Sequence, residues 1–195
     1  MKFRQAVLLI VVLEVVVVLL GLWNYGAGLE GLQAVTRFSG RSSLAIFSLI
    51  FLLHHQKGAF LKSLLSNDYF FVFAIAHGIH LIELLSFVYI SHAPVIPYRV
   101  AGGFLAYSFI FAMPFVMQRH KLGKIRERPF SILANVYLYY VWLIFFMTYF
   151  SRVQGKVPHA GGSHGEHVAG MVWVLLLLTI NLTERIFFTE KVKKN

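Results

Sequence analysis

Apolar runs of about 20 residues recur along this chain, and that is the length a helix needs to cross a lipid bilayer. The chain has 195 residues, of which 58% are hydrophobic and 13% are charged. Because a backbone inside hydrocarbon must satisfy its own hydrogen bonds, each run is expected to be helical. The predicted spans are 6–23, 43–59, 69–90, 99–117, 131–151 and 168–187. The sequence therefore predicts an all-α integral membrane protein, a single transmembrane domain over 1–195 built as a bundle of six transmembrane helices.

The distribution of lysine and arginine predicts how the bundle is oriented. If the N-terminus is cytoplasmic, 13 of the 18 basic residues fall on inner segments and five fall on outer loops. The positive-inside rule then places both termini in the cytoplasm, and we expect the membrane to be a bacterial inner membrane. The net charge of +10 faces anionic lipid, so it implies no nucleic-acid partner. Because the spans leave no segment long enough for a soluble domain, we expect no flavin or nucleotide site.

Residues 74–90 place ionisable side chains inside an apolar run. His77, His80 and Glu83 are three residues apart, so they share one face of a helix. Ionisable groups at membrane depth are costly and are functional by default. Imidazoles there suit the ligation of a metal, most often haem iron, or the transfer of protons. The alternative is that each histidine only hydrogen-bonds a carbonyl or hydroxyl group of a neighbouring helix.

The depth of the histidines predicts which of them could meet. His80 lies 11 residues into the third predicted helix, and His54 lies 11 residues into the second, which enters from the other side. Each is therefore about 16 Å deep, near the middle of a hydrocarbon core about 30 Å thick. We expect His54 or His55 to lie level with His77 or His80, unless the second helix is short and leaves them at the interface.

Two carboxyl groups are also expected at membrane depth. Glu14 is central in the first predicted helix, and Glu83 lies one turn beyond His80. A carboxyl group in lipid is expected to be neutral unless it is paired. Either residue could relay protons or support a ligating histidine. The alternative is a hydrogen bond to a neighbouring helix or subunit.

Residues 157–168 form a second polar cluster, on the predicted outer face. His159, His164, Glu166 and His167 stand there among glycines. Imidazoles and a carboxylate on one loop could bind Zn²⁺ or Cu²⁺, and the alternative is a solvated polar loop. His167 begins the sixth predicted helix, from which it could reach an outer haem or metal.

Four short motifs carry a family resemblance. They are SGRSSLAIFSLIF (39–51), AHGIHL (76–81), VAGGFLAYSFIFAM (100–113) and LYYVWLIF (138–145). Over residues 37–153 the chain resembles the ferric reductase-like transmembrane domain, to which it adds helices at 6–23 and 168–187. The resemblance implies a b-type haem between the third and fifth helices and electron transfer across the membrane. By position, His80 would be the third-helix ligand, with His77 beside it.

The chain is similar to the small members of that family, which lack the flavin and nicotinamide domain and rely on separate redox partners. The resemblance therefore implies a haem b electron-transfer subunit of a membrane complex. Its electrons would come from quinol or from a reductase partner. Such a chain is at most an oxidoreductase subunit, without complete catalytic machinery of its own.

One departure from the family concerns the second haem ligand. The fifth-helix position where the family carries a histidine is Ala134, and residues 131–151 contain no histidine. Three possibilities follow. His80 could share the iron with His54, His55 or His167, or the haem could be five-coordinate. Alternatively, haem has been lost, and the chain is a structural, accessory or assembly subunit of a larger membrane complex.

Overall fold

Six helices make up the described part of the chain, and it contains no strand. The computed structural model describes residues 3–54, 68–93, 97–157 and 161–193. The helices are α1 (Phe3–Tyr25), α2 (Leu29–Leu53), α3 (Tyr69–Ser91), α4 (Pro97–Lys121), α5 (Glu127–Val153) and α6 (His164–Lys193). The expected all-α class is therefore confirmed for these residues.

Five of the described helices are long and apolar enough to cross a membrane, namely α1, α3, α4, α5 and α6. This confirms the expectation of an integral membrane protein, whereas a sixth span is not confirmed. The remaining helix, α2, carries charged and hydroxyl side chains, and yet Arg37, Ser39 and Ser43 are buried. Because α2 packs against α1, α3 and α6, these three side chains lie inside the bundle rather than in lipid, as intramembrane polar groups do.

The start of α2 corrects the sequence prediction. The second span was expected to begin at residue 43, but α2 begins at Leu29. Arg37 and Arg41 made the preceding residues look like an outer loop, although both lie on the helix. Charged residues do not indicate a loop here, because neighbouring helices separate this part of α2 from lipid. The predicted end of the span, at residue 59, lies outside the described residues.

A very short connection holds α1 and α2 together. Only residues 26–28 separate the two helices. Gly26 has a φ of +77°, a left-handed conformation that glycine adopts without steric cost. Gly31, in the first turn of α2, packs so closely on the carbonyl group of Gly26 that a Cβ atom would not fit. The connection therefore forces α1 and α2 to lie side by side.

The helices alternate in direction, which gives the bundle two ends. We call the end where α1, α3 and α5 begin the lower end, and the end where α2, α4 and α6 begin the upper end. At the lower end, Lys121 Nζ lies 2.7 Å from Asp68 Oδ1, and at the upper end Arg41 Nη2 lies 2.6 Å from Glu166 Oε2. Phe3, which begins α1, and Lys193, which ends α6, belong to the lower end, and the cytoplasmic location of this end stays a prediction.

Aromatic rings fill the interior between α2, α3 and α5. Phe47 of α2 contacts Phe73 of α3 and Phe145 of α5, with ring centroids 5.6 and 5.3 Å apart. Nearer the lower end, Phe70 meets Tyr137 edge to face at 5.0 Å. These are the separations at which aromatic pairs attract beyond simple burial. The three helices are therefore joined by one continuous aromatic core.

Hydrogen bonds between side chains and backbone tie α6 to the same core. The buried amide of Asn181 donates to the Phe51 carbonyl oxygen of α2 at 2.9 Å and accepts from the Tyr139 hydroxyl of α5 at 2.9 Å. Trp142 Nε1 of α5 donates to the Val174 carbonyl oxygen at 2.9 Å. Polar side chains that bond across helices in this way stabilise membrane bundles.

Replacing Asn181 by alanine should lower the free energy of unfolding by about 1 to 2 kcal/mol, because two interhelical hydrogen bonds are lost together. The measurement is thermal unfolding of the purified chain in detergent micelles. Thr179→Ala on the same helix is the control, since its exposed hydroxyl only bonds the Leu175 carbonyl oxygen one turn earlier. An equal loss in both variants would contradict the role given to Asn181.

Candidate functional site

His77 lies in the interior of the bundle, where side chains of α2, α3 and α4 contact its ring. Its Nδ1 lies 2.5 Å from the Ser43 hydroxyl of α2. Its ring stacks on Phe73, one turn earlier on α3, and on Tyr107 of α4, with centroids 5.2 and 4.8 Å away. A hydroxyl group on one ring nitrogen fixes the orientation of an imidazole, which is how many metal-ligating histidines are supported.

His80 follows on the same face of α3, with its ring centroid 5.4 Å from that of His77. It packs against Gly40 of α2, where a Cβ atom would lie only 3.0 Å from His80 Cε1. The backbone of Thr36 lies within interaction range of the ring. His80 Nδ1 is buried and has no hydrogen-bond partner among the described residues. One ring nitrogen of His80 is therefore available to a ligand.

The fifth helix presents an aromatic ring, and no imidazole, to His77. Phe145 of α5 lies with its ring centroid 5.8 Å from that of His77. Ala134, the family's expected ligand position, is fully buried but precedes Phe145 by three helical turns, or about 16 Å along the helix. The two positions are therefore at different depths, and Ala134 does not face His77.

The expectation that His54 lies level with His77 or His80 is wrong. His54 caps the lower end of α2, and its Nδ1 lies 2.8 Å from the hydroxyl of Tyr69, the first residue of α3. His77 and His80 come about 12 and 16 Å further along α3. The error follows from the start of α2, since Ser43 occupies the level at which a histidine was expected. His55 lies outside the described residues.

An arginine cluster lies above the histidines, towards the upper end. Arg37 of α2 is buried, and its guanidinium group lies over the rings of Tyr25 and Phe38, 5.5 and 5.2 Å from their centroids. Its Nε has no hydrogen-bond partner in the described part of the chain. Arg152 of α5 interacts electrostatically with both Arg37 and Arg41. Three cations from two helices therefore lie near one another.

His167 borders this arginine cluster from the first turn of α6. It is 7% exposed, and its Nδ1 lacks a hydrogen-bond partner within the described ranges. Arg152 interacts electrostatically with His167 and also with His80. His80 and His167 thus share a neighbour, and each keeps a buried ring nitrogen without a partner.

The second polar cluster is divided between a helix and undescribed residues. His164, Glu166 and His167 lie in the first turn of α6, and Glu166 is paired with Arg41. His159 lies outside the described residues. Among the residues that are described, no group of three or more metal-binding side chains comes together. The predicted Zn²⁺ or Cu²⁺ site stays a prediction.

The two predicted intramembrane carboxyl groups both lie near Ser39 of α2. Glu14 of α1 is 4% exposed. It interacts with Ser39, and Glu83 of α3 interacts with both Ser39 and Glu14. The sequence indicated each carboxyl group separately, and the structure brings them to one place.

Sequence reasoning missed what α2 contributes to the site. Ser39, Gly40 and Ser43 belong to the SGRSS stretch, which was used only as a family motif. Ser39 and Ser43 are four residues apart, so on a helix they share a face. That spacing, once α2 is extended back to Leu29, would have indicated a polar face turned towards the histidines and carboxyl groups.

The site combines imidazole, guanidinium and carboxyl groups inside a membrane bundle. No protein-family model, curated protein or solved structure matches this chain. The chemistry of the site is therefore inferred from its own groups. Imidazole nitrogens ligate metals or transfer protons, guanidinium groups pair with carboxylates, and carboxyl groups at membrane depth take part in proton transfer.

Gly40→Val should destabilise the bundle, because the added side chain would occupy the place of the His80 ring. The same change should cost less in a His80→Ala background, with a coupling free energy of about 0.5 to 3 kcal/mol between the two positions. Unfolding in detergent of the two single variants and the double variant measures this coupling. Gly103→Val is the control, because a Cβ atom at Gly103 meets nothing within 4 Å. A coupling of zero at Gly40 would show that the contact does not position His80.

Proposed function

We propose that this chain is the membrane subunit of an electron-transfer system and binds a haem b through His80. The observation that carries the proposal is the setting of the His80 ring. Its Nδ1 is buried without a partner in the described part of the bundle, and the backbone of Thr36 lies at the ring. A ligating histidine must offer the metal a ring nitrogen that no protein group occupies, and Nδ1 of His80 is such a nitrogen among the described residues.

The residues around His80 suit a haem in their chemistry. Imidazole is a usual axial ligand of b-type haem iron, and the haem, when bound, supplies one-electron transfer. Arg37 and Arg152 offer guanidinium groups for the two carboxylates that a haem carries, while Arg41 beside them is paired with Glu166. His77, fixed by Ser43, packs beside the ligand. The second ring nitrogen of His77 makes it the other candidate on α3.

The second axial ligand is assigned to His167. His54 is too far along the bundle, and α5 presents Phe145 at the level of His77. His167 is buried, keeps a ring nitrogen without a partner in the described ranges, and shares Arg152 with His80. A five-coordinate haem held by His80 alone is the alternative arrangement.

The proposed subunit works with partners that this chain does not contain. The exposed faces of its five apolar helices are consistent with lipid contact. Electrons would enter from quinol or from a reductase and leave to an acceptor on the other side. The excess of lysine and arginine on the segments at the lower end supports a cytoplasmic location of that end, in a bacterial inner membrane.

A second candidate function is that of a haem-free structural, accessory or assembly subunit. The observation that favours it is the aromatic core, because rings already fill the interior between α2, α3 and α5. Phe47 and Phe73 are fully buried, and Phe145 occupies the place opposite His77. A bundle packed in this way needs no porphyrin to complete its interior.

The absorption spectrum of the chain purified from membranes tests the haem proposal. We expect a Soret band that shifts on reduction with dithionite and is lost in His80→Asn. His92→Asn is the matched control, because His92 is exposed and caps the same helix in a left-handed conformation that asparagine tolerates. A colourless wild-type chain that co-purifies in fixed ratio with a larger complex would contradict haem binding and favour the accessory subunit.

His167→Ala tests the second ligand separately. If His167 completes the iron coordination, this variant should keep the pigment but change its spectrum from six-coordinate low-spin to five-coordinate high-spin haem. His164→Ala is the control, since His164 is exposed three residues earlier on α6. An unchanged spin state in His167→Ala would show that the iron is five-coordinate or has another ligand.

A further inference from the structure

We propose that Glu14 and Glu83 share one exchangeable proton in the interior of the bundle, with Ser39 as the hydroxyl group between them. The site would be a proton-binding site of the membrane domain. It involves neither His80 nor His167 as a ligand, so it goes beyond the proposed haem function and does not depend on it.

Three helices bring these side chains together. Glu14 lies near the middle of α1, Ser39 lies on α2 and Glu83 lies on α3. Glu14 is 4% exposed and Ser39 is fully buried. The Ser39 hydroxyl is close enough to interact with both carboxyl groups, although neither contact has the geometry of a formed hydrogen bond. The three side chains therefore come together, but no described residue satisfies their polar atoms.

The unsatisfied atoms point to a missing ligand. Both carboxyl oxygens of Glu14, Oε2 of Glu83 and Oγ of Ser39 are buried without a hydrogen-bond partner among the described residues. Buried polar atoms are rarely left unpaired, and an exception calls for a ligand or a functional role. Because these four atoms belong to three neighbouring side chains, one small ligand can serve all of them.

Charge decides which ligand this is. Two carboxylates side by side repel each other, and a membrane interior disfavours each of them. The groups that interact with the pair are Ser39 and the two carboxyl groups themselves. His80 lies one turn before Glu83 but is turned to Gly40, and Arg37 is turned to Tyr25 and Phe38. No cationic side chain in the described residues therefore offsets two negative charges at this place.

One proton satisfies the site better than none or two. Without a proton, the Ser39 hydroxyl is the one donor that the described residues offer to two carboxylates. With one proton, the protonated carboxyl group donates to the other carboxylate, and the Ser39 hydroxyl also donates to an acceptor. A second proton would remove the charged acceptor that makes these hydrogen bonds strong. The arrangement therefore favours a shared proton over two independent ones.

A cavity lies on the upper side of this carboxyl pair. It lies between α2 and α3, has a volume of 280 Å³ and is lined by Glu30, Gln33, Phe87 and His92 among others. Phe87 is 9% exposed and follows Glu83 by one helical turn. Along α3 the cavity therefore comes within one helical turn of Glu83, and we expect the proton to exchange with water on the upper side.

Labelling with dicyclohexylcarbodiimide tests the proposal, because this apolar reagent enters membranes and reacts with protonated carboxyl groups. The full chain in liposomes is treated at neutral pH and mapped by peptide mass spectrometry. We expect one adduct per chain, on Glu14 or Glu83. The double variant Glu14→Gln/Glu83→Gln should lose the adduct. Glu166→Gln, which removes an exposed, ion-paired carboxyl group, should keep it.

Three results would overturn the proposal. Two adducts on one chain would mean that each carboxyl group holds its own proton. No adduct at either position would mean that both are ionised. Protection by Na⁺ at constant pH would mean that a metal cation, and not a proton, occupies the site. Each result is read from the wild-type chain, whether or not the variant folds.

Infrared spectroscopy of the wild-type chain gives an independent measurement. A shared proton predicts a carbonyl band of a protonated carboxyl group that shifts in D₂O. Its absence at neutral pH would also overturn the proposal. Loss of haem in any variant leaves both measurements unaffected, so a failure here is distinguishable from a failure of the proposed electron-transfer function.

Discussion

The burial of a polar helix at the centre of an apolar bundle is the constraint on which this structure depends. α2 carries arginine and serine side chains that lipid would not tolerate, and α1, α3 and α6 surround it. The histidines of α3 and the two carboxyl groups all contact or interact with residues of α2. Ser43 fixes His77, Gly40 makes room for His80, and Ser39 lies between the two carboxyl groups.

The same constraint explains the composition of the neighbouring helices. α1 is almost wholly apolar, with Glu14 as its one carboxyl group, and that group points to α2 rather than to lipid. α3 likewise turns His77, His80 and Glu83 to α2. Because polar groups on three helices share one interface, their partners are found across that interface, and the outer faces remain free for lipid.

Hydropathy was sufficient to predict the helices that face lipid, and insufficient for the one that does not. The third span, predicted at 69–90, is observed as Tyr69–Ser91, because an apolar run in lipid ends where polar residues begin. α2 does not obey this rule, since its polar face lies against protein. The misplaced start of α2 then led directly to the wrong depth of His54. The helical period alone predicted that His77 and His80 share one face of α3. The contacts that Ser43, Gly40 and Phe145 make with them could not be predicted, because they depend on how the helices are shifted along one another.

The three-residue connection between α1 and α2 has a consequence for how the protein enters the membrane. Over its described residues α2, unlike the other five helices, has no stretch long and apolar enough to cross a membrane, and the three-residue connection keeps its start close to the end of α1. The two helices are therefore expected to insert as a preformed hairpin, in which the apolar α1 carries the polar α2 across the headgroup region. Biogenesis of this bundle would then begin with a pair of helices, and the usual order, in which each span inserts before it associates, would not apply to its first two.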